Sequence, residues 1–150
     1  MSELSELYQE VILDHNRRPR NFQVPEGANR QVEGFNPLCG DRFTIYLRVE
    51  DGVIRDAGFQ GAGCAISKAS ASLMTDGIKG RTLAEADRLF EQFHQMVTSS
   101  GDEMPDIDAL GKLAVFAGVR DFPMRVKCAS LAWHALHAAL QSSDGKVTTE

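Results

Sequence analysis

The stretch 43-FTIYLRVEDGVIRDAGFQ-60 decides the fold. Its first half alternates apolar and polar residues, which is the pattern of a strand with one buried face. The apolar positions of this half are Phe43, Ile45, Leu47 and Val49. Asp51 and Gly52 form a pair typical of a two-residue hairpin turn, and residues 53–60 supply the returning strand. The stretch therefore predicts an antiparallel β-hairpin.

Helical patterns flank this hairpin on both sides. Before it, apolar residues at helical spacing predict a helix that ends at Pro19, and residues 31–35 are expected to add a third strand. After it, further helices are expected, one of which begins with a capping box made by Thr82 and Glu85. The expected ranges of these later helices are 65–80, 82–97, 109–117 and 122–140. A polar tail after Leu140 is expected to fray.

This order of elements predicts a single α+β domain over residues 1–150. Its expected architecture is a small antiparallel three-stranded sheet, with an N-terminal helix and several C-terminal helices packed on it. A chain of this length buries roughly two thirds of the surface that its unfolded form exposes, so one compact core is the simplest expectation.

Composition and charge exclude several classes of function. A hydrophobic fraction of 43% and a charged fraction of 25% are those of a soluble globular protein. The net charge of −5 argues against nucleic acid as a partner, because such a surface does not neutralise phosphates. No apolar stretch approaches the ~20 residues of a membrane span, and the acidic N-terminus does not resemble a signal peptide. We therefore expect a cytoplasmic protein whose three cysteines are reduced thiols.

Three cysteines and one aspartate fall at the boundaries of the expected elements. Cys39 and Asp41 lie in the loop NPLCGD (36–41), immediately before a strand. Cys64 starts a helix, whose N-terminal partial charge lowers the pKa of a thiol. Cys128 lies within the first two turns of the last helix. Glycines that would let the backbone approach a bound ion precede the second cysteine, at Gly58, Gly61 and Gly63.

Three thiolates and a carboxylate make a four-ligand tetrahedral set of the kind that zinc accepts. Around a divalent ion they leave a net charge of about −2, which Arg125 and Lys127 are placed to offset. The opposing interpretation is that each cysteine, taken alone, is a small buried apolar residue. Cys128 allows that interpretation because it shares an apolar stripe of the last helix. Cys39 fits it badly, since a loop bounded by proline and glycine runs over the surface.

The histidines are poor candidates for metal ligands. His134 and His137 share a helix face with polar residues, which predicts a solvated face, and His94 is expected to be exposed on its capped helix. His15 lies in the polar stretch DHNRRPR (14–20) and is expected to be a surface or docking residue. The basic residues of that stretch either contact a partner or form a solvated helix end; they are Arg17, Arg18 and Arg20.

At these same motifs the chain closely resembles the IscU/SufU/NifU N-terminal family of iron–sulfur cluster assembly scaffolds. Three separate cysteine motifs in the same order make the resemblance far more specific than one motif would. The resemblance covers nearly the whole chain, through LYQEVILDHNRRPRNF, NPLCGD, FQGAGCAISKASASLM and LGKLAVFAGVRDFPMRVKCASLAW.

The resemblance favours the SufU branch of this family. IscU-like members typically carry a histidine before the last cysteine, where this chain has Lys127, and residues 80–108 look like the helical insertion of SufU-like members. The resemblance implies that the protein binds Zn²⁺ and accepts sulfur from a PLP-dependent cysteine desulfurase. Downstream iron–sulfur assembly proteins are then its further expected partners. In that scheme a histidine of the desulfurase binds the zinc and releases the thiolate matching Cys39.

Zinc ligands implied by the resemblance are Cys39, Asp41, Cys64 and Cys128. Among the thiols we expect Cys39 to accept the sulfur, because a loop leaves it more accessible than a helix leaves Cys128.

Three other functions stay open at this point. The first is a scaffold for a transient [2Fe–2S] cluster, with the three cysteines as iron ligands and Asp41 as the labile fourth ligand. The second is a zinc hydrolase such as a nucleobase deaminase, which lacks support because the chain has neither an HxE pair nor a PCxxC run. The third is a purely structural zinc domain.

Overall fold

The computed structural model describes residues 2–37, 40–99, 110–120, 122–141 and 144–148. In chain order the elements are α1 (Ser2–Arg17), β1 (Arg30–Asn36), β2 (Asp41–Glu50), β3 (Val53–Ala62), α2 (Ala65–Ile78), α3 (Leu83–Thr98), a 3₁₀ helix (Gly111–Val119), α4 (Pro123–Gln141) and β4 (Asp144–Thr148). Within these ranges, no helix has the combination of length and hydropathy that a bilayer crossing needs.

The sheet has the strand order β3-β2-β1-β4. Strand β2 pairs antiparallel with both β1 and β3, so that Ile45 lies opposite Val32 on one side and Phe59 on the other. The hairpin turn has positive φ at Asp51 (54°) and Gly52 (74°), as a two-residue turn of this kind requires. The predicted α+β class and the antiparallel three-stranded sheet are confirmed.

A fourth strand was not predicted. The polar tail was expected to fray, but β4 instead pairs parallel with β1, from Gln31 opposite Asp144 to Phe35 opposite Thr148. Helix α4 packs against both β1 and β4, so it returns the chain to the free edge of β1. An unpaired sheet edge exposes a row of backbone donors and acceptors, and β4 satisfies them.

The core lies between the sheet and the helices. Three of the residues that the alternating pattern placed on one face, Phe43, Ile45 and Leu47, are fully buried, as are Val32, Ile54 and Phe59, whereas Val49 is half-buried at the edge of the core. Helices α2 and α4 pack against the sheet and against each other. A buried hydroxyl links these two helices, because Ser70 Oγ donates to the Ala129 carbonyl (2.6 Å) and accepts from the Trp133 indole (3.1 Å). The two helices that carry cysteines are therefore held in fixed register.

The helix predicted at 109–117 differs from the one observed. Its first residue lies outside the described part of the chain, and the described part is a 3₁₀ helix that continues past Gly118 to Val119. The residues from Leu113 to Ala117 are all buried, and the exposed residues of this helix lie near its two ends, at Gly111, Lys112 and Gly118.

The prediction for His15 is wrong. Its side chain is only 4% exposed, and Nδ1 lies 2.7 Å from Ser72 Oγ. The reason is that α1 packs against α2, which covers the face carrying His15. The basic residues that follow remain at the surface: Arg17 and Arg18 are exposed, and Arg20 forms an ion pair with Asp14 at 2.8 Å.

The solvated face predicted for α4 is also wrong. His134 and His137 are half-buried, with ring centroids 5.7 and 4.7 Å from the ring of Phe90. His94, expected to be exposed, is half-buried as well, and its ring centroid lies 5.5 Å from that of His134. Helix α3 covers this face of α4, which the sequence of α4 alone does not reveal.

Candidate metal centre

Three of the four predicted ligands come together at one point of the fold. Asp41 is the first residue of β2, Cys64 immediately precedes α2, and Cys128 lies in the second turn of α4. One ligand atom from each lies within 4.8 Å of the other two. Cys39 lies outside the described residues, so its place in the site stays a prediction.

Asp41 is buried and held at both oxygens. It is only 2% exposed; Oδ1 accepts a hydrogen bond from the Cys64 N–H (2.9 Å), and Oδ2 accepts one from the Ser67 hydroxyl (2.6 Å). The sheet produces this arrangement, because Arg42 pairs with Ala62 and so brings the start of β2 beside the end of β3. A carboxylate fixed in this way keeps its direction before any metal binds.

Cys64 caps helix α2 with its sulfur. Its Sγ accepts from the Ser67 N–H at 3.4 Å and lies 3.6 Å from Asp41 Oδ2. The pKa of Cys64 is lowered from 9.0 to about 6, chiefly by a hydrogen bond from Cys128 and then by the hydroxyl and the backbone N–H of Ser67, which lie against the sulfur. Burial and the charge of Asp41 oppose this shift. Cys64 is exposed, so its thiol is both acidic and accessible. The lowered pKa was predicted, but its largest cause is Cys128, and the helix start contributes through the Ser67 N–H.

Cys128 satisfies both interpretations that the sequence left open. It is 6% exposed and belongs to the apolar stripe of α4, yet its sulfur reaches the site and bonds to Cys64. The neighbouring Arg125 is exposed and holds its guanidinium 4.5 Å from the ring centroid of Phe122. The charge-offsetting role expected of Arg125 and Lys127 stays a prediction.

Comparison with known proteins identifies the family. Residues 7–129 match the family described as the NifU-like N terminal domain. The chain belongs to this family.

Two relatives with different names are about equally similar to this chain. The chain is 40% identical over 143 residues to the iron–sulfur cluster assembly scaffold protein IscU of Streptococcus pyogenes serotype M1, covering 95% of this chain and 88% of that one. It is 39% identical over 142 residues to the zinc-dependent sulfurtransferase SufU of Bacillus subtilis, covering 95% of each. The names therefore place the chain among IscU and SufU proteins without choosing between them.

A solved structure shares the fold. It is described as a candidate iron–sulfur cluster assembly scaffold protein for the SUF system from the thermophile Fervidobacterium islandicum AW-1. The TM-score is 0.81 at 36% sequence identity, and the match covers 90% of this chain and 97% of that one. The resemblance to the IscU/SufU/NifU family is thus confirmed in both sequence and structure.

The glycines before Cys64 have different roles in this member of the family. A Cβ on Gly63 would lie 2.8 Å from Asp41 Oδ1, so Gly63 does let the backbone approach the site. A Cβ on Gly58 would instead meet the Gln23 carbonyl and Pro25, and one on Gly61 would meet the backbone of β2. The prediction that all three approach an ion is wrong for Gly58 and Gly61, because these two permit chain packing.

Ser67 contacts two of the candidate ligands and was missed from the sequence. Besides its bond to Asp41, its Oγ lies 3.4 Å from Cys64 Sγ, and the side chain is 1% exposed. A usable signal was its position, since the third residue after a helix cap faces the cap. Serine is so common in ISKASAS (66–72) that composition did not distinguish it.

The described donors fit a zinc ion. Tetrahedral zinc with Zn–S of about 2.3 Å and Zn–O of about 2.0 Å places neighbouring ligand atoms about 3.5–3.8 Å apart. The observed separation of Cys64 Sγ from Asp41 Oδ2 is 3.6 Å, and the whole set lies within 4.8 Å. Once deprotonated to bind metal, the two thiolates and the buried carboxylate would crowd negative charge, which a divalent cation would neutralise.

Proposed function

We propose that this chain is a zinc-dependent sulfur acceptor of iron–sulfur cluster biogenesis, which takes sulfane sulfur from a PLP-dependent cysteine desulfurase. The observation that carries this proposal is the convergence of Asp41, Cys64 and Cys128 within 4.8 Å at the meeting point of sheet and helices. The SufU relative, which is named as a zinc-dependent sulfurtransferase, supports the same activity. Downstream iron–sulfur assembly proteins are the proposed recipients of the sulfur.

Cys39 is proposed as the fourth zinc ligand and as the sulfur acceptor. Cys128 is buried on a packed helix and Cys64 is bonded into a helix cap, so both are anchored by their elements. Cys39 stands between Pro37 and Gly40 in the sequence, and Gly40 has a positive φ of +75°. A thiolate that attacks a persulfide must be able to move to it, which favours a cysteine predicted to lie in a loop over one anchored by a helix.

The proposed transfer moves sulfur without net oxidation. The Cys39 thiolate attacks the outer sulfur of a persulfide on the desulfurase, and a new S–S bond forms at Cys39. The S–S bond of the original persulfide breaks, and the desulfurase cysteine leaves as a thiolate, which takes up a proton from water. Bound zinc would hold the cysteines as thiolates without oxidising or reducing them, because zinc has no redox chemistry of its own.

Two features support the SufU branch of the family. The residue before the last cysteine is Lys127, where IscU-like members typically have a histidine that could bind a metal. Helix α3 lies in the part of the chain that resembles the SufU insertion, and its capping box between Thr82 and Glu85 stabilises it as an independent element.

The alternative is a scaffold that assembles a [2Fe–2S] cluster on the same residues, as the IscU relative's name suggests. Thiolates suit both centres. Ligands of a two-iron cluster are divided between two ions and stand further apart than ligands that meet on one ion. The compact arrangement of Asp41, Cys64 and Cys128 therefore favours a single zinc.

The test is turnover of a cysteine desulfurase with and without the zinc-loaded protein, followed by peptide mapping by mass spectrometry. We expect faster desulfurase turnover and the mass of one added sulfur on the peptide that contains Cys39. The matched variant is Cys39→Ser, which should lose the added sulfur. Sulfur found first on Cys128, with Cys39→Ser still accepting it at the native rate, would overturn the assignment and favour the cluster scaffold.

A further inference from the structure

Ser67 stands between the carboxylate and a thiol of the metal centre. Its hydroxyl is 2.6 Å from Asp41 Oδ2 and 3.4 Å from Cys64 Sγ. A hydroxyl has one hydrogen to donate, and the shorter contact shows that the carboxylate receives it. The backbone N–H of the same residue points at Cys64 Sγ, so Ser67 fixes two candidate ligands at once.

The contact matters because a carboxylate is the weakest ligand in a thiolate-rich site. A free aspartate side chain rotates and can offer a metal one oxygen, both oxygens or neither. Here Oδ1 is bonded to the Cys64 N–H and Oδ2 to Ser67, so rotation would break two hydrogen bonds, one of them fully buried. Oδ2 retains a second lone-pair site, and it is the oxygen that lies 3.6 Å from Cys64 Sγ.

We propose that Ser67 is a positioning residue that holds Asp41 in a one-oxygen binding geometry and thereby sets how tightly this site retains zinc. This inference rests on the proposed zinc-dependent function and adds the residue that controls the carboxylate ligand. Ser67 itself does not touch the reacting sulfur. It acts through Asp41, whose direction it maintains whether the site is empty or filled.

The effect of removing the hydroxyl follows from this geometry. In Ser67→Ala, Asp41 Oδ2 loses its hydrogen bond while Oδ1 keeps its own, so the carboxylate gains rotational freedom. Loss of a hydrogen-bonding partner that orients a metal ligand typically weakens metal affinity about 10- to 100-fold. In Asp41→Ala the hydroxyl has no carboxylate left to orient, and the Ser67 N–H that bonds Cys64 remains in Ser67→Ala, so adding Ser67→Ala to that variant should cost no further affinity.

The experiment measures zinc affinity by competition with a chromogenic chelator, using zinc alone and no desulfurase. It compares the native chain with Ser67→Ala, Asp41→Ala and the double variant. Ser72→Ala is the matched control, because Ser72 is another fully buried serine of α2 whose hydroxyl bonds to His15 and not to a ligand. Cobalt(II) replaces zinc in a second measurement, since its visible absorption reports the ligand geometry directly.

The expected result is a loss of affinity in Ser67→Ala, an altered cobalt spectrum, native affinity in Ser72→Ala and no additional loss in the double variant. Native affinity in Ser67→Ala, or a further loss of the same factor in the double variant, would overturn the inference and leave the proposed function standing. A native chain that binds no zinc would overturn both.

Discussion

Gly63, the residue before Cys64, brings the backbone close to Asp41 of the candidate metal centre. A Cβ placed there would lie 2.8 Å from Asp41 Oδ1 and 2.8 Å from Phe43 Cε2, whereas ordinary contact begins at 3.4 Å. Gly63 does not have a positive φ, so alanine is compatible with its backbone. The substitution Gly63→Ala therefore tests the close approach alone.

The magnitude follows from the crowding. The Asp41 carboxylate and the fully buried Phe43 ring must each move by about 0.6 Å, which is the difference between 3.4 and 2.8 Å. Overpacking of this kind costs about 1–3 kcal/mol. Because the ligand must stay in place for zinc to bind, this strain should reappear as a loss of affinity of about 5- to 150-fold, at 1.4 kcal/mol per tenfold.

Chelator competition measures the affinity, and thermal unfolding of the metal-free protein measures the cost to the fold. Gly77→Ala is the control, because Gly77 lies inside α2 and its Cβ would meet only Leu89 Cδ2, at 3.9 Å. That variant should keep native affinity and gain about 0.5–1 kcal/mol in stability. If Gly63→Ala bound zinc as tightly as Gly77→Ala, Asp41 would not be a ligand held against Gly63.

Three further predictions concern the ligand set, acid stability and the capping of α3. Asp41→Ala should keep the fold but release zinc more readily, and a chelator should lower its melting temperature less than that of the native protein. Burial, followed by the charges of His94 and His137, lowers the pKa of His134 below 6.5. As the pH falls, His134 therefore takes up its proton at a higher pH in the unfolded chain than in the folded one. The free energy of unfolding measured in denaturant should fall as the pH drops below about 6.5. His134→Gln should flatten this fall, and an unchanged slope would contradict the assignment. Thr82→Ala removes the capping box of α3 and should cost about 1 kcal/mol in the same assay, whereas a loss under 0.3 kcal/mol would show that the cap is unimportant.

Local sequence signals predicted the features that depend on neighbouring residues. The Asp51–Gly52 pair fixed the hairpin, and the Thr82–Glu85 pair located the start of α3, because each is a short-range arrangement of backbone and side chain. The position of Cys64 at a helix start was predictable for the same reason. From these signals the α+β class follows, whereas the grouping of Asp41, Cys64 and Cys128 into one site was implied by the family resemblance.

The errors came from contacts between distant parts of the chain. Helix α4 is rich in alanine and is covered on several sides, so its polar stripe did not mark a solvated face, and His134 lies against α3. His15 is buried because α1 packs against α2, where its Nδ1 lies within hydrogen-bond distance of Ser72 Oγ, 57 residues away in the sequence. Strand β4 pairs with β1 although Gln31 and Asp144, which lie opposite each other, are far apart in the sequence. No periodicity within a single element contains this information.

We propose that the metal centre of this chain is one zinc held by thiolates and a carboxylate, and not an iron–sulfur cluster. X-ray absorption at the zinc edge of the purified protein distinguishes these two centres. We expect one zinc per chain, with three sulfur neighbours at about 2.3 Å and one oxygen neighbour at about 2.0–2.2 Å. In the Asp41→Ala variant the oxygen should be replaced by water or lost, with the sulfur neighbours retained. A protein that contains iron with a second iron close by, and zinc only in traces, would contradict the account.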